Sequence, residues 1–366
     1  MNIRIATFNM ENLFTRPAAM AEGAGAAGQE AINDHAELNL IVSKPDYDDS
    51  DKARLIELDQ KYGFSALNTP ANALVVLNKI RDSLFSRSQA GVVTVVASGR
   101  GAWTGWFSLR TDDVAWEAIF NTGRVVATID ADIQICIEVE NRPTLLRFNE
   151  QVLDAQFHKA YPHVMVIDGN DDRGIDVGIM SRHPIRSVRS HVDDLNPNGQ
   201  RTFSRDCPEY LIELPGGQTI VILPNHFKSK RGGNTPAMQN RRKAQADRAH
   251  AIALQGLAQT PFVMIAGDLN DTPDTPLFAS LFEDGFVDVS DHPSYPTDRP
   301  GTFNTGTAAN KLDYLIMSPE LRTKLFHTEI ERRGSYHPHT WEAFDTVNSK
   351  ADEASDHHLV WGDFSF

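Results

Sequence analysis

An α/β fold is what this sequence predicts, and three observations predict it. Apolar runs of strand length recur along the chain, as in Phe262-Val263-Met264-Ile265-Ala266. Several of these runs end abruptly in polar residues; the one just named meets Gly267-Asp268-Leu269-Asn270-Asp271. Helical stretches lie between them, at 114–130 by amphipathic spacing and from the Thr235-Pro236 cap to about residue 259. With 366 residues, 41% of them hydrophobic, the chain can bury a large core, and its length alone allows one big domain or two.

The elements follow in order. Residues 3–8 alternate as a strand and are followed by Asn9-Met10-Glu11-Asn12, so Asn9 stands at a strand tip. Residues 18–31 are Ala/Gly-rich and read as a loop. Asp49-Ser50-Asp51, ahead of Leu55, Ile56 and Leu58 with Gly63 behind, predicts a capped helix. Leu74, Leu77, Ile80 and Leu84 continue at helical spacing after Pro70. Residues 92–97 and 102–109, joined by Ser98-Gly99-Arg100-Gly101, read as a β-hairpin whose Trp103 and Trp106 either pack on it or stack on bases. Neither an internal repeat nor a linker rich in Pro or Ser interrupts the chain, so residues 15–112 read as an insertion in a single domain spanning 1–366.

Residues 132–139 fit a strand with Glu138 at its end. A buried unpaired carboxylate is costly, which makes Glu138 the leading metal-ligand candidate, with Glu140 the alternative on the same side. Strands follow at 164–167 and 175–180, separated by the turn Asp168-Gly169-Asn170-Asp171-Asp172-Arg173-Gly174, and the second carries Asp176 among apolar neighbours. Asp176 needs a partner there, and a histidine suits it. Arg205 precedes the strand 209–214 and offers a fork for a phosphate or for a surface ion pair. The strand 219–224 ends in Asn225-His226-Phe227-Lys228. The strand 311–317 carries Asp313, and Ser355-Asp356-His357-His358 precedes a terminal strand. An Asp-His pair there can serve as a general acid or base, with Asp313 orienting His357.

Charge narrows the function. The formal net charge of −14 argues against broad adhesion to nucleic acid but allows a local basic groove. Such an island exists: residues 215–246 carry Lys228, Lys230, Arg231, Arg241, Arg242 and Lys243 and no acid. It suits a polyanionic substrate, although Arg241, Arg242 and Lys243 also fit a solvated helix face. The two cysteines, Cys136 and Cys207, lie in or beside apolar strands and imply no disulfide framework. The amino terminus enters a strand directly, without the apolar stretch of a signal peptide, and no run approaches the ~20 residues of a membrane span. A cytoplasmic monomer without membrane attachment or an obligate protein partner is the default expectation.

The polar tips therefore gather Asn9, Glu138, His226, Asp268, Asn270, Asp356 and His357, with Asp176 and Asp313 inside strands. Oxygen donors with few thiolates favour a hard cation, Mg2+ or Mn2+. Neither His-x-x-x-His nor His-Glu-x-x-His occurs, which disfavours zinc, and there is no phosphate-binding Gly-x-x-x-x-Gly-Lys-[Ser/Thr] loop. One divalent metal, one or two histidines and a phosphate-sized polar site point to phosphoester hydrolysis.

At this point the chain resembles the endonuclease/exonuclease/phosphatase superfamily with the deoxyribonuclease-I-like fold. The resemblance rests on Thr7-Phe8-Asn9, Ile137-Glu138-Val139, Asn225-His226-Phe227-Lys228-Ser229, Gly267-Asp268-Leu269-Asn270, Leu312-Asp313-Tyr314 and Ser355-Asp356-His357, in the family's order, and it covers residues 1–14 and about 125–366. The family's Gln before the metal-binding Glu is Ile137 here. The resemblance implies a four-layer α-β-β-α sandwich, two mixed β-sheets face to face with helices outside. It implies that Glu138, Asn9 and Asp356 bind or support the metal, and that Asp268 and Asn270 position the attacking water and the phosphate. It gives acid/base roles to His357, polarised by Asp313, and to His226, paired with Asp176. Arg205, Asn225 and Lys228 become substrate contacts.

The leading expectation is a metal-dependent phosphodiesterase acting on nucleic acid, DNA before RNA. The alternative is a phosphatase or phosphodiesterase for a small molecule or lipid headgroup. A non-catalytic module of the same fold ranks third, because every expected polar position except Ile137 is filled.

Overall fold

A computed structural model describes residues 1–13, 15–20, 25–66, 73–113, 115–171, 173–230 and 233–366 of the chain. Pro70, Asp172 and Arg231, used in the readings above, lie outside the described residues. The chain divides into two compact units, Met1–Phe14 with Ala115–Phe366, and Thr15–Val114. The segment 15–112, read above as an insertion, falls in the second.

The first unit contains two six-stranded sheets. Its strands, among the described residues, are β1 (Asn2–Leu13), β2 (Ile133–Val139), β3 (His163–Ile167), β4 (Asp176–Ser181), β5 (Ile185–Arg189), β6 (Glu209–Glu213), β7 (Thr219–His226), β8 (Val263–Asp268), β9 (Val287–Asp288), β10 (Asp313–Met317), β11 (Leu325–Glu331) and β12 (Leu359–Ser365). One sheet runs in the order β11-β12-β1-β2-β4-β3 and the other β5-β6-β7-β8-β10-β9. Each sheet has one central parallel pair, β1 with β2 and β7 with β8, and its other pairings are antiparallel. A parallel pair needs a crossover. Helix α1 (Trp116–Ile129) precedes β2, and α2 (Pro236–Gly256), capped by Thr235 accepting from the Met238 amide, joins β7 to β8.

Residue alternation builds the layers. Ile3 and Ile5 of β1 and Ile135 and Ile137 of β2 face Ile220 and Ile222 of β7 and Met264 and Ala266 of β8, forming the core between the sheets. The opposite column, Ala6, Phe8 and Cys136, packs on Ile119 and Val126 of α1. Val221, Leu223, Val263 and Ile265 pack on Ala246, Ala249 and Ile252 of α2. The result is the four-layer sandwich that the resemblance implies. Both cysteines are buried and unpaired. No helix among the described residues is long and apolar enough to cross a membrane.

In the second unit the helix Asp49–Tyr62 forms as expected. Asp48 and Asp51 make a reciprocal capping box, and Gly63, at φ 74°, ends it in the left-handed region. Three other readings need correction. Of the span 18–31, residues 21–24 lie outside the described residues and the rest is not a loop: Ala18–Met20 makes a 3-10 turn, and a helix spans Gly25–Val42, because alanine stabilises helix more than the glycines oppose it. The helical spacing at 74–84 is coincidental. Val75–Arg81 is a strand, headed by β-branched Val75 and Val76 and paired with Thr104–Leu109. Residues 92–109 do not fold on themselves either, since Val93–Val95 pairs with Phe85–Arg87. Trp103 is buried and donates from Nε1 to the Tyr47 hydroxyl at 2.9 Å, whereas Trp106 is half exposed.

Candidate active site

The strand parity that builds the inter-sheet core also aims the polar tips. Extending the inward columns past their last apolar residues reaches Asn9 on β1, His226 on β7, Asp268 on β8 and Asp313 on β10, all buried. Asn9 Nδ2 donates to Asp268 Oδ2 at 3.3 Å, and His226 Nε2 lies 3.5 Å from the same oxygen.

Glu138 reaches this cluster through a bulge. In β2 the odd residues Ile133, Ile135 and Ile137 face inward, so regular alternation would send Glu138 towards α1. The register shifts on both flanks: Asn9 pairs Ile137 but Leu13 pairs Val139, and Val177 pairs Ile137 while Asp176 pairs Val139. Glu138 is the extra residue against β4, with φ 62°. A bulge re-aims its side chain, and Glu138 Oε1 comes within 3.6 Å of His226 Nε2. Glu11 (φ 47°) and Asn270 (φ 57°) also adopt left-handed backbone, a strain that persists only where the surroundings enforce it.

His357 and Asp313 form a tight dyad. Nδ1 of His357 lies 2.8 Å from Asp313 Oδ2, which also accepts from the Thr302 hydroxyl at 2.7 Å. Its Nε2 faces Asp268 Oδ2 at 3.8 Å and Asp356 Oδ1 at 4.0 Å. Asn270 braces Asp268: its amide nitrogen donates to Oδ1 at 2.9 Å and its side chain to Oδ2 at 3.1 Å.

The two histidines are held in opposite states. Burial, then the nearby Arg205 and His357 charges, drive His226 well below its ordinary value, so it is neutral. Burial also acts downward on His357, but Asp313, Asp268 and Asp356 outweigh it and hold it well above 6.5, as an imidazolium. Burial, with Asp313 and Glu138, pushes Asp268 up to about 7 against the pull of His357. Groups in one site whose values are pushed apart in this way divide acid, base and charge-stabilising work.

One group of donors among the described residues brings its atoms close enough together to hold a metal. Asp268, Asp313 and His357 offer ligand atoms within 4.8 Å of one another, although the His357–Asp313 hydrogen bond occupies part of that set. Glu138 and Asp356 also lie close enough to act on Glu11, a residue the sequence reading passed over. The Asp356 amide donates to Glu11 Oε2 at 3.0 Å. Burial, then Asp356, Glu353 and Glu138, raise the Glu11 carboxyl. Its signal was present: Asn9 and Glu11 stand two apart, as do Asp268 and Asn270. Nothing in the sequence singled out Thr302.

Several of the expected residues sit differently from the sequence reading. Asn225 follows the outward parity, is fully buried and donates to the Leu223 carbonyl at 3.0 Å, so it does not reach the site. Asp176 is not bonded to His226. It accepts from the Gly169 amide at 2.9 Å, and burial raises it to about 7. Arg205 is buried, not on the surface. It pairs with Asp171 at 3.0 Å and leaves its Nε without a partner. Lys228 is half-buried, and burial together with Arg205, Arg173 and Arg241 lowers its pKa. Glu140 caps no metal cluster among the described residues; its Oε2 accepts from the Thr144 hydroxyl at 3.3 Å.

The basic island splits in two. Arg242 is not on a solvated face: it is fully buried, donating from Nε to Asp271 at 3.1 Å and from Nη1 to the Lys228 carbonyl at 3.1 Å. Lys230 joins the same carboxylate. Arg242→Met leaves Asp271 short of its buried partner, a change that typically costs about 3–5 kcal/mol. Calorimetry is expected to record a Tm lower by roughly 4–9 °C; an unchanged Tm would mean this pair does not hold the loop.

Comparison with known proteins agrees with this architecture. An endonuclease/exonuclease/phosphatase from Beutenbergia cavernae is 17% identical with a TM-score of 0.50, over 68% of this chain and 66% of that one. A family protein from Bacteroides thetaiotaomicron is 15% identical with a TM-score of 0.50, over 68% and 87%. Truncated TDP2 from Caenorhabditis elegans is 18% identical over 68% and 90%, at a TM-score of 0.48. At these identities the likeness is one of fold. No curated protein matches the sequence. The family model described as Endonuclease/Exonuclease/phosphatase family matches residues 137–357, more than half of the chain, and the chain belongs to that family.

Proposed function

We propose that the chain is a divalent-metal-dependent phosphodiesterase that hydrolyses nucleic acid, DNA before RNA. The observation that carries this is the convergence, at one end of the sandwich, of a base near neutrality (Asp268), an imidazolium (His357 on Asp313) and crowded carboxylates. The donor chemistry fits a hard cation: Glu11, Asp356 and Glu138 offer carboxylate oxygens, and burial, then Asp356 and Glu138, raise the Glu11 carboxyl. Glu138, with Asp356, Glu11 and Asn9, would hold it. Bound there, Mg2+ or Mn2+ supplies neutralisation of phosphoryl charge.

The chain's own residues do the rest. Asp268 Oδ2, braced by Asn9 and Asn270, accepts the proton of the attacking water. His357 Nε2, charged and fixed by Asp313, balances negative charge developing on the phosphoryl oxygens. Neutral His226 donates or accepts at Nε2 between Glu138 and Asp268. Lys228 and Arg205 bring positive charge for the diester.

Asp313→Asn tests the dyad. Losing the carboxylate that holds the imidazolium lets burial pull His357 down, so the charged form is lost at lower pH. The alkaline limb of the kcat/KM profile is expected to move down by roughly one pH unit or more; an unmoved limb would detach His357 from it.

The net charge of −14 favours the second reading, a small-molecule or lipid-headgroup phosphoester. Hydrolysis of supercoiled plasmid, linear DNA and RNA beside bis-(p-nitrophenyl) phosphate separates the two. Cleavage of a polynucleotide supports the nuclease reading, and turnover of the small diester alone rejects it.

A further inference from the structure

Outside the catalytic cluster, a cavity of about 580 Å³ opens between α2 and the loop at 196–201. Its helical wall is Ala237, Asn240, Arg241 and Ala244, spaced i, i+3, i+4, i+7 and so on one face. The two alanines leave room, and the amide and guanidinium between them supply donors. The loop wall brings Asn196, Asn198, Gln200 and Arg201.

Both walls are fixed. Asn196 Oδ1 accepts from the Asn198 and Gln200 amides at 2.9 and 3.1 Å, and Asn196 donates from its backbone to the Gln200 carbonyl at 2.7 Å. Buried Arg242 anchors the first turns of α2 from the opposite face. The cavity is lined by two arginines and no acid, in a chain of net charge −14; Arg201 is ion-paired from Nη1 with Asp193, outside the lining. Guanidinium forks with amide donors match phosphate oxygens, and the amides can also read base edges.

The cavity wall adjoins the strand that carries His226: Arg242, the neighbour of Arg241 on α2, donates from Nη1 to the carbonyl of Lys228, two residues beyond His226, at 3.1 Å.

We propose that the cavity between α2 and the 196–201 loop is a subsite for the phosphodiester backbone of a polynucleotide, taking nucleotides that flank the scissile bond. This rests on the nuclease reading above and extends it. The subsite adds affinity for long substrates without taking part in the chemistry.

The test is the double variant Arg201→Gln, Arg241→Gln, neither residue belonging to the catalytic cluster. kcat/KM is measured on bis-(p-nitrophenyl) phosphate and on a fluorescent 20-nucleotide DNA strand and its duplex, from 50 to 200 mM salt. The expected result is a roughly 10-fold or greater loss on the oligonucleotides, a salt slope shallower by about one to two, and a rate on the small diester within about twofold of wild type. An unaffected oligonucleotide rate, or an equal loss on both substrates with the melting temperature unchanged, overturns the subsite and leaves the nuclease reading standing. A wild type that turns over the small diester but no polynucleotide overturns both.

Discussion

His357→Ala and His226→Ala are each expected to lower kcat on a small diester by roughly 10²–10⁴-fold, the usual contribution of a positioned acid or base group. The reasons differ. His357 carries a proton because Asp313, 2.8 Å away, fixes its ring and favours the charged form. Alanine there removes a buried cation beside Asp268 and leaves the Asp313 carboxylate with Thr302 as its remaining side-chain donor. His226 is neutral, with Nε2 about equidistant from Glu138 and Asp268. Alanine there unties the carboxylates of the two sheets from one another. Because both act on one transition state, the double variant should lose less than the product of the single losses. Single-substrate kinetics with melting curves decide it: a well-folded variant within about threefold of wild type removes that histidine from the mechanism.

Glu138→Gln is expected to abolish turnover and to weaken Mn2+ binding by at least about 10-fold. Glutamine keeps the size and the bulge but removes the charge that a hard cation needs. The position is costly to maintain: a non-glycine residue at φ 62°, in a double register shift, presenting a carboxylate to a neighbouring carboxylate and a histidine. Strain of about 1–3 kcal/mol at such a residue persists when the surrounding structure enforces it for a purpose. Calorimetric titration with Mn2+ on folded protein is the check. A Glu138→Gln variant that binds Mn2+ like wild type moves the metal to Asp268, Asp313 and His357 instead.

The sandwich was legible because its strands are apolar runs with polar ends. The inward column of even residues, Ile220, Ile222, Met264 and Ala266, points directly to His226 and Asp268. The same alternation contradicts a substrate role for Asn225, since adjacent strand residues cannot share a face. The arrival of Glu138 was legible only as an anomaly, an acid ending an apolar strand. The bulge that turns it inward depends on a two-sided register shift that no local pattern encodes. Partner choice was hidden for a related reason. Asp176 and His226 are both polar and buried, yet Asp176 is bonded to the Gly169 amide, seven residues earlier. In the second unit, leucines at 74, 77 and 84 mimicked a helical stripe while the β-branched pair Val75-Val76 and a partner strand nearly thirty residues on decided for sheet. Contacts distant in sequence, Thr302 with Asp313 and Arg242 with Asp271, carried no local signal at all.

The central claim is that this cluster hydrolyses a phosphodiester with the help of a divalent cation. Its most direct measurement is the initial rate of bis-(p-nitrophenyl) phosphate hydrolysis by the full chain in Mg2+ or Mn2+, in EDTA, and after the metal is restored. The account predicts turnover with metal, none in EDTA, and recovery on restoration; an undiminished rate in EDTA, or no turnover with either metal, would contradict it.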